Sequence, residues 1–397
     1  MSASERPVHV VGVGMIPFTK PGTSDAYPVM GAQAAQLALD DAGLGYSLVE
    51  QAYAGYVYGD STAGQAALYG VGLSGIPVFN VNNNCSTGSS ALFLARQAVA
   101  GGLVECALAV GFEQMVPGAL KSTYDDRPSP MQRFIDSMEK TQGFDPAAPR
   151  AAQFFGGAGQ DYIKQYGIRA DTFGRISVKA RQHAARNPLA VFRNKLTLDE
   201  VMASPTVFGP ITRYQCCPPT CGAAAAIVCS PAFAKKHGLD TRVIIAAQAM
   251  TTDTAGTFDS GDMRKLVGYD ITVAAATQVY ETAGIGPEDL DVVELHDCFS
   301  VNELITYEAL GLTPPGTAEQ FILDGDNTYG GRIVTNPSGG LLSKGHPLGA
   351  TGLAQCYELV SQLRGTADQR QVEGARLALQ HNLGLGGACV VTLYQRV

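Results

Sequence analysis

Charge is scarce in this sequence. Asp, Glu, Lys and Arg make up 16% of its 397 residues, and the thirty-five residues between Asp60 and Arg96 carry none. A stretch that long without charge is expected to be buried on most sides. Its asparagines and glycines exclude a membrane span. So do Pro218, Pro219, Pro231 and Gly222 in a second uncharged run, residues 214–234. No Cys-x-x-Cys pair occurs among the nine cysteines, and an odd number does not make a secreted disulfide framework. The opening MSASERPVHVVGVG lacks the long apolar core of a signal peptide, and Tyr394-Gln395-Arg396-Val397 is no peroxisomal address. A cytoplasmic protein with reduced thiols is expected. The net charge of −8 and pI near 5.3 argue against nucleic acid as a partner.

Glycine, by contrast, is plentiful at 46 residues, as in a tightly packed α/β enzyme. The length exceeds one ordinary core, so two domains or a duplicated one are expected. Apolar runs predict strands over residues 8–13, 52–58, 76–82 and 105–111, with helices over 29–42 and 86–100 between them. That alternation implies a mainly parallel sheet covered by helices. Gly12-x-Gly14 meets Pro17 where a dinucleotide fingerprint needs its third glycine, so no NAD site is read. The plan repeats later, with strands over 243–247, 291–295, 332–335, 376–380 and 389–394 and helices over 271–283, 301–310 and 349–363. The reading is a duplicated α/β fold: a first half of 1–118 completed by 206–235, an insertion over 119–205, and a second half over 236–397.

Cys85 lies at the centre of the long uncharged run, in Val81-Asn82-Asn83-Asn84-Cys85-Ser86-Thr87-Gly88. The residues before it read as a buried strand and those after it as a helix with small residues in its opening turn. A thiol at a helix start is expected to have a lowered pKa. A second feature is basic. Lys164, Arg169, Arg175, Lys179, Arg181, Arg186, Arg193 and Lys195 are opposed only by Asp171 within residues 164–195. Arg175, Lys179, His183 and Arg186 follow helical spacing. Either they form a solvated face or they bind a polyanionic small ligand.

Three more motifs fall at strand ends of the second half: His296-Asp297-Cys298-Phe299, Gly345-His346-Pro347-Leu348-Gly349-Ala350-Thr351-Gly352, and His381-Asn382-Leu383-Gly384-Leu385-Gly386-Gly387. Carboxyl ends of strands gather functional groups in such sheets, so all three could meet Cys85. Histidines and cysteines there follow the logic of a Cys–His nucleophile.

Taken in this order, NNNCSTGS, HDCFS, NPSGGLLSKGHPLGATGLAQ and HNLGLGG resemble the thiolase superfamily over essentially the whole chain. The sterol carrier protein X subgroup is the most similar. The resemblance implies two similar halves stacked as a five-layer αβαβα sandwich, with 119–205 as an inserted loop domain that grips coenzyme A. It implies Cys85 as the acylated nucleophile and His346 as the acceptor of its proton. Cys298 would be the second acid/base, with His296 joining His346 around the thioester oxygen. The N–H groups of Cys85 and Gly386 would form a second oxyanion hole. Most thiolases carry a second catalytic cysteine where this chain has Gly384-Leu385-Gly386. Arg175, Lys179, Arg181, Arg186 and Ser343 would contact CoA, and a homodimer or a dimer of dimers is expected. The subgroup usually has Asp where this chain has Cys221.

The implied chemistry suits these residue types. Cleaving a 3-oxoacyl thioester between its α and β carbons leaves an enolate, which needs an acid and an oxyanion hole. The acyl group stays on a thiolate until CoA removes it. CoA and acyl-CoA would be substrates, no cofactor would stay bound, and no metal is needed. Cys216, Cys217, Cys221 and Cys229 lack zinc-like pairing. A ketoacyl synthase or a side-chain aldolase of the same fold, or a non-enzymatic acyl-CoA or lipid carrier, are the alternatives.

Overall fold

The computed structural model describes residues 6–118, 124 and 126–397. Its strands are β1 (His9–Met15), β2 (Gln51–Gly55), β3 (Val78–Val81), β4 (Cys106–Glu113), β5 (Thr206–Phe208), β6 (Ile211–Thr212), β7 (Gly222–Cys229), β8 (Val243–Thr251), β9 (Val292–Glu294), β10 (Val334–Thr335), β11 (Leu377–Gly384) and β12 (Ala388–Arg396). Ten of them form one sheet in the order β10-β9-β11-β12-β8-β1-β7-β4-β2-β3, while β5 pairs with β6. The half-order β3-β2-β4-β7-β1 recurs as β10-β9-β11-β12-β8. The two halves meet where His9 of β1 opposes Ile244 of β8.

The expectation of a mainly parallel sheet needs correction. Pairings are parallel toward both edges, and antiparallel through the middle, from β4–β7 across to β12–β11. Three residues separate β11 from β12, too few for the crossover that a parallel pair requires.

Alternation along the strands builds the layers. On β7, Ala224, Ala226 and Val228 face one core, and Ala223, Ala225, Ile227 and Cys229 face another. The first core holds the central helices Thr87–Ala100 and Thr351–Arg364, through residues such as Leu92, Ala95, Leu353 and Leu359. The second holds the outer helix Tyr27–Ala42. A third core, on the far side, takes Ile271, Ala275 and Val279 of helix Tyr269–Ala283. With the two halves of the sheet on either side of the central helices, the stack is helix, half-sheet, helix, half-sheet, helix. A methyl at Gly12 would overlap the Ala38 carbonyl and one at Gly14 that of Ala34. Gly12-x-Gly14 therefore serves close helix–strand packing.

The stretch expected as a buried strand is the open edge of the sheet. Among the described residues β3 pairs only with β2, and Phe79 is 46% exposed. The opposite edge strand, β10, is buried.

Between β4 and β7 the chain leaves the sheet and forms the helices Gln132–Gln142, Arg150–Tyr166, Asp171–Ala184 and Leu198–Met202. Apolar side chains of the first three join the core of the second half, and Phe155 stacks on Phe299, next to Cys298. No helix among the described residues is long and apolar enough to cross a membrane.

Candidate active site

The strand-to-helix passage around Cys85 is held by its own polar side chains. Asn84 takes a left-handed backbone (φ 52°), and Thr87 Oγ1 donates to the Asn84 carbonyl oxygen at 2.6 Å. Asn84 Nδ2 donates to the Leu385 carbonyl oxygen at 2.8 Å, which fastens the glycine turn after β11 to the loop that carries Cys85. In a trans peptide the N–H points opposite to the C=O, so Gly386 N–H is turned away from Asn84.

Glycines let the second half come close. Gly349 packs on Gly88, at the start of the helix after Cys85, and on Gly111 of β4; a methyl on either would overlap the Gly349 carbonyl. Buried Glu113 reinforces this contact by accepting from Gly349 N–H and Val57 N–H at 3.0 Å and from Tyr58 N–H at 2.9 Å. Burial pushes its carboxyl up to about 7, against the pull of those N–H groups.

The approach assembles three groups. One ligand-type atom each from Cys85, His296 and His346 lie within 4.8 Å of one another. All three residues are buried, and the two imidazoles meet edge to face at 5.1 Å. Hydrogen bonds decide where each ring keeps its proton. Thr351 Oγ1 donates to the Pro347 carbonyl at 2.9 Å, so it accepts from His346 Nδ1 at 2.7 Å. His346 Nε2 then holds a lone pair, and it has no partner among the described residues. Asn382 Nδ2 donates to the Cys85 carbonyl oxygen at 3.1 Å and lies 3.0 Å from His296 Nδ1. That nitrogen is therefore the acceptor, and the His296 proton sits on Nε2. Around Cys85 stand one proton acceptor and one proton donor.

Burial sets the charge states. It pushes His346 down to about 3, with Lys344 adding to the effect, and holds His296 well below the usual range. Both rings are neutral at pH 7. Burial also pushes the Cys85 thiol up to about 12, against the opposing pull of the Leu385 N–H. This corrects the expectation from the helix start: burial is the largest influence and raises the thiol, so the resting pair is thiol and imidazole.

Cys298 is buried beside this trio. Desolvation first, then the neighbouring Cys217 and Cys85, push its thiol well above the usual range. Asp297 anchors the motif from behind by accepting from Leu341 N–H at 2.6 Å. Cys389 lies elsewhere, on the far side of His381, with Sγ 3.7 Å from Thr272 Oγ1.

Residues 8–232 match the family described as "Thiolase, N-terminal domain" and residues 254–394 that described as "Thiolase C-terminal domain-like". The chain belongs to the thiolase family. It is 55% identical over 392 residues to the sterol carrier protein 2 of Oryctolagus cuniculus, covering 98% of this chain and 72% of that protein. Among solved structures, the Ltp2-ChsH2(DUF35) aldolase superimposes with a TM-score of 0.84 at 23% identity, over 99% of both chains. Human mitochondrial 3-ketoacyl-CoA thiolase in complex with CoA gives 0.73 at 18% identity, covering 99% of this chain and 98% of that one. At those identities the likeness is one of fold.

The basic segment of this thiolase divides in a way that counting charges did not reveal. Lys179 and His183 share a helix face, but it points inward. Lys179 is buried and ion-paired with Glu303, and its Nζ also donates to Tyr307 Oη at 3.1 Å and Thr335 Oγ1 at 2.5 Å. It cannot contact a ligand at the surface, which corrects that assignment. Arg181 is largely buried between aromatic rings, with its guanidinium 4.6 Å from Phe192 and 5.8 Å from Tyr214. Arg175 pairs with Asp171 at 3.3 Å, and Arg186 lies over Tyr329 at 4.3 Å. Ser343 is buried in a π-turn, Gly340–Lys344, three residues before His346. Its carbonyl accepts from Phe192 N–H at 3.1 Å, and its Oγ has no partner among the described residues.

Sequence reading missed Glu113, Thr351 and Asn382. Glu113 alone had a visible signal, a carboxylate closing an otherwise apolar strand.

Proposed function

We propose that the chain catalyses thiolytic cleavage of a 3-oxoacyl-CoA by CoA, or the reverse Claisen condensation, through an acyl-Cys85 intermediate. The observation that carries this reading is the trio of Cys85, His296 and His346 with opposite proton placement on the two rings. His346 Nε2 takes the thiol proton as Sγ attacks the 3-oxo carbon. The Cα–Cβ bond then breaks with its electron pair moving into the departing acetyl-CoA (or propionyl-CoA) enolate. That oxygen is met by two Nε2–H groups, His296's original one and the one His346 has just gained. Cys298 protonates the enolate carbon. CoA thiol next gives its proton to the Cys298 thiolate and displaces the acyl group from Cys85, whose thiolate takes back its proton from His346. Cys85 and Gly386 N–H would hold the oxygen on the acyl carbon.

The pantetheine and phosphates of CoA are proposed to approach over Phe192. Lys20 and Arg181 flank this ring at 5.2 and 4.6 Å, exposed Arg193 follows it, and its backbone joins Ser343. A side-chain aldolase or a lipid carrier has no need of an acylated thiol. The test is incubation with acetyl-CoA or acetoacetyl-CoA followed by peptide mass analysis. One acyl mass on the Cys85 peptide is expected; an unmodified Cys85 alongside full turnover refutes the reading.

A further inference from the structure

Asn382 is fully buried and touches both sides of the site, yet none of the reactive roles falls to it. Its orientation follows from a chain of hydrogen bonds. The Gly352 carbonyl can only accept, so Gln380 turns its amide NH₂ toward it at 2.7 Å. The same Nε2 donates to Ser89 Oγ at 2.7 Å, while Tyr394 Oη donates to Gln380 Oε1 at 2.5 Å. With its oxygen accepting from Gln380, Ser89 spends its own proton on Asn382 Oδ1 at 2.7 Å. The Asn382 NH₂ must then face the Cys85 carbonyl and His296 Nδ1. The Cys85 carbonyl, another pure acceptor, requires the same orientation independently. A flipped amide would set two oxygens against each other.

We infer that Asn382 is a positioning residue that holds His296 in the Nε2–H tautomer, and so keeps one of the two rings a donor at every stage of the reaction. This rests on the proposed thiolase chemistry and deepens it. His346 must begin as an acceptor because it takes the thiol proton, and Thr351 sets it so. Were His296 in the same tautomer, the enolate oxygen would meet a lone pair instead of a donor. An amide can enforce the choice at any pH, since it does not ionise. A carboxylate at the same place would do the opposite, drawing the proton to Nδ1 and raising the imidazole pKa.

The experiment has two parts. The first is ¹⁵N NMR of histidine-labelled wild-type protein, with His296→Asn used to assign the ring. Protonated Nε2 and unprotonated Nδ1 are expected. Protonated Nδ1 would overturn the inference whatever the activity of the protein. The second compares Asn382→Asp with wild type. Above the pKa of the new carboxylate–imidazole pair, turnover is expected to fall about 10²–10³-fold with little change in KM, the usual effect of losing one oxyanion donor. Below that pKa the ring carries both protons, so the variant should recover relative to wild type as pH falls. A uniform loss at every pH would mean that Asn382 only packs the site, and would overturn the inference. Acylation of Cys85 by acetyl-CoA is followed in parallel. If wild type is not acylated while the NMR result stands, the reaction assignment fails and the tautomer assignment survives.

Discussion

At the residue scale, two thiols compete for the role of second acid. Cys389 stands in an apolar strand with its sulfur toward Thr272, whereas Cys298 interacts electrostatically with Cys85. Cys298→Ala is expected to lower thiolysis about a hundredfold or more while leaving Cys85 open to acylation. Cys389→Ala should cost a few-fold at most; the reverse pattern would exchange the roles. The state of Cys85 gives a pH test. With the thiol raised to about 12, the thiolate fraction at Cys85 climbs about tenfold per pH unit across the neutral range. Iodoacetamide labelling of Cys85 should therefore rise from pH 6 to 9 without a plateau. A plateau near pH 7 would show a preformed thiolate. The position of Cys85, at the junction of strand and helix, was legible from its neighbours. Its protonation was not, because the groups that bury it and act on it, among them His346 and the Glu113 carboxylate, come from other elements of the fold. Asn382 was hidden for the same reason: its partners Ser89 and Cys85 lie nearly 300 positions upstream.

Elements carry the second set of expectations. On helix Asp171–Ala184 the basic residues were open to two readings, a solvated face or a polyanion site, and helical spacing does place Lys179 and His183 together. Spacing cannot say which way that face turns. Glu303, Tyr307 and Thr335, all from the second half, draw Lys179 inward. Lys179→Ala should therefore cost stability, about 3–5 kcal/mol by denaturant unfolding, because it strands a buried carboxylate. A raised KM with unchanged stability would instead show that Lys179 contacts CoA. Charge reversal at Arg193 is the better probe of phosphate binding. It should raise KM for CoA several-fold with little effect on kcat, and the gap between CoA and dephospho-CoA should narrow. At the far edge of the sheet, β3 has a single strand neighbour among the described residues, and Phe79, Tyr69 (60%) and Leu73 (81%) are exposed. Such an edge favours pairing with a second copy. Wild type should run as a dimer or larger in light scattering, and Phe79→Glu should shift it toward monomer. A monomeric wild type would remove the proposal.

At the scale of the whole molecule, the repeated alternation of strands and helices made the duplication visible, and the order of strands in the sheet repeats accordingly. The antiparallel middle was not visible, since strand direction depends on connections, and the insertion before β7 obscured one of them. The meeting of the halves carries one more consequence. Cys85 comes from the first, and His296, Cys298, His346 and Asn382 come from the second, brought together where Gly349 rests on Gly88 and Gly111. Among the described residues, neither half brings these groups together by itself. For the proposed reaction, turnover is thus a proximity sensor for the seam: a bulky side chain forced into it, such as Gly88→Val, is expected to abolish turnover while each half keeps its own strands and helices.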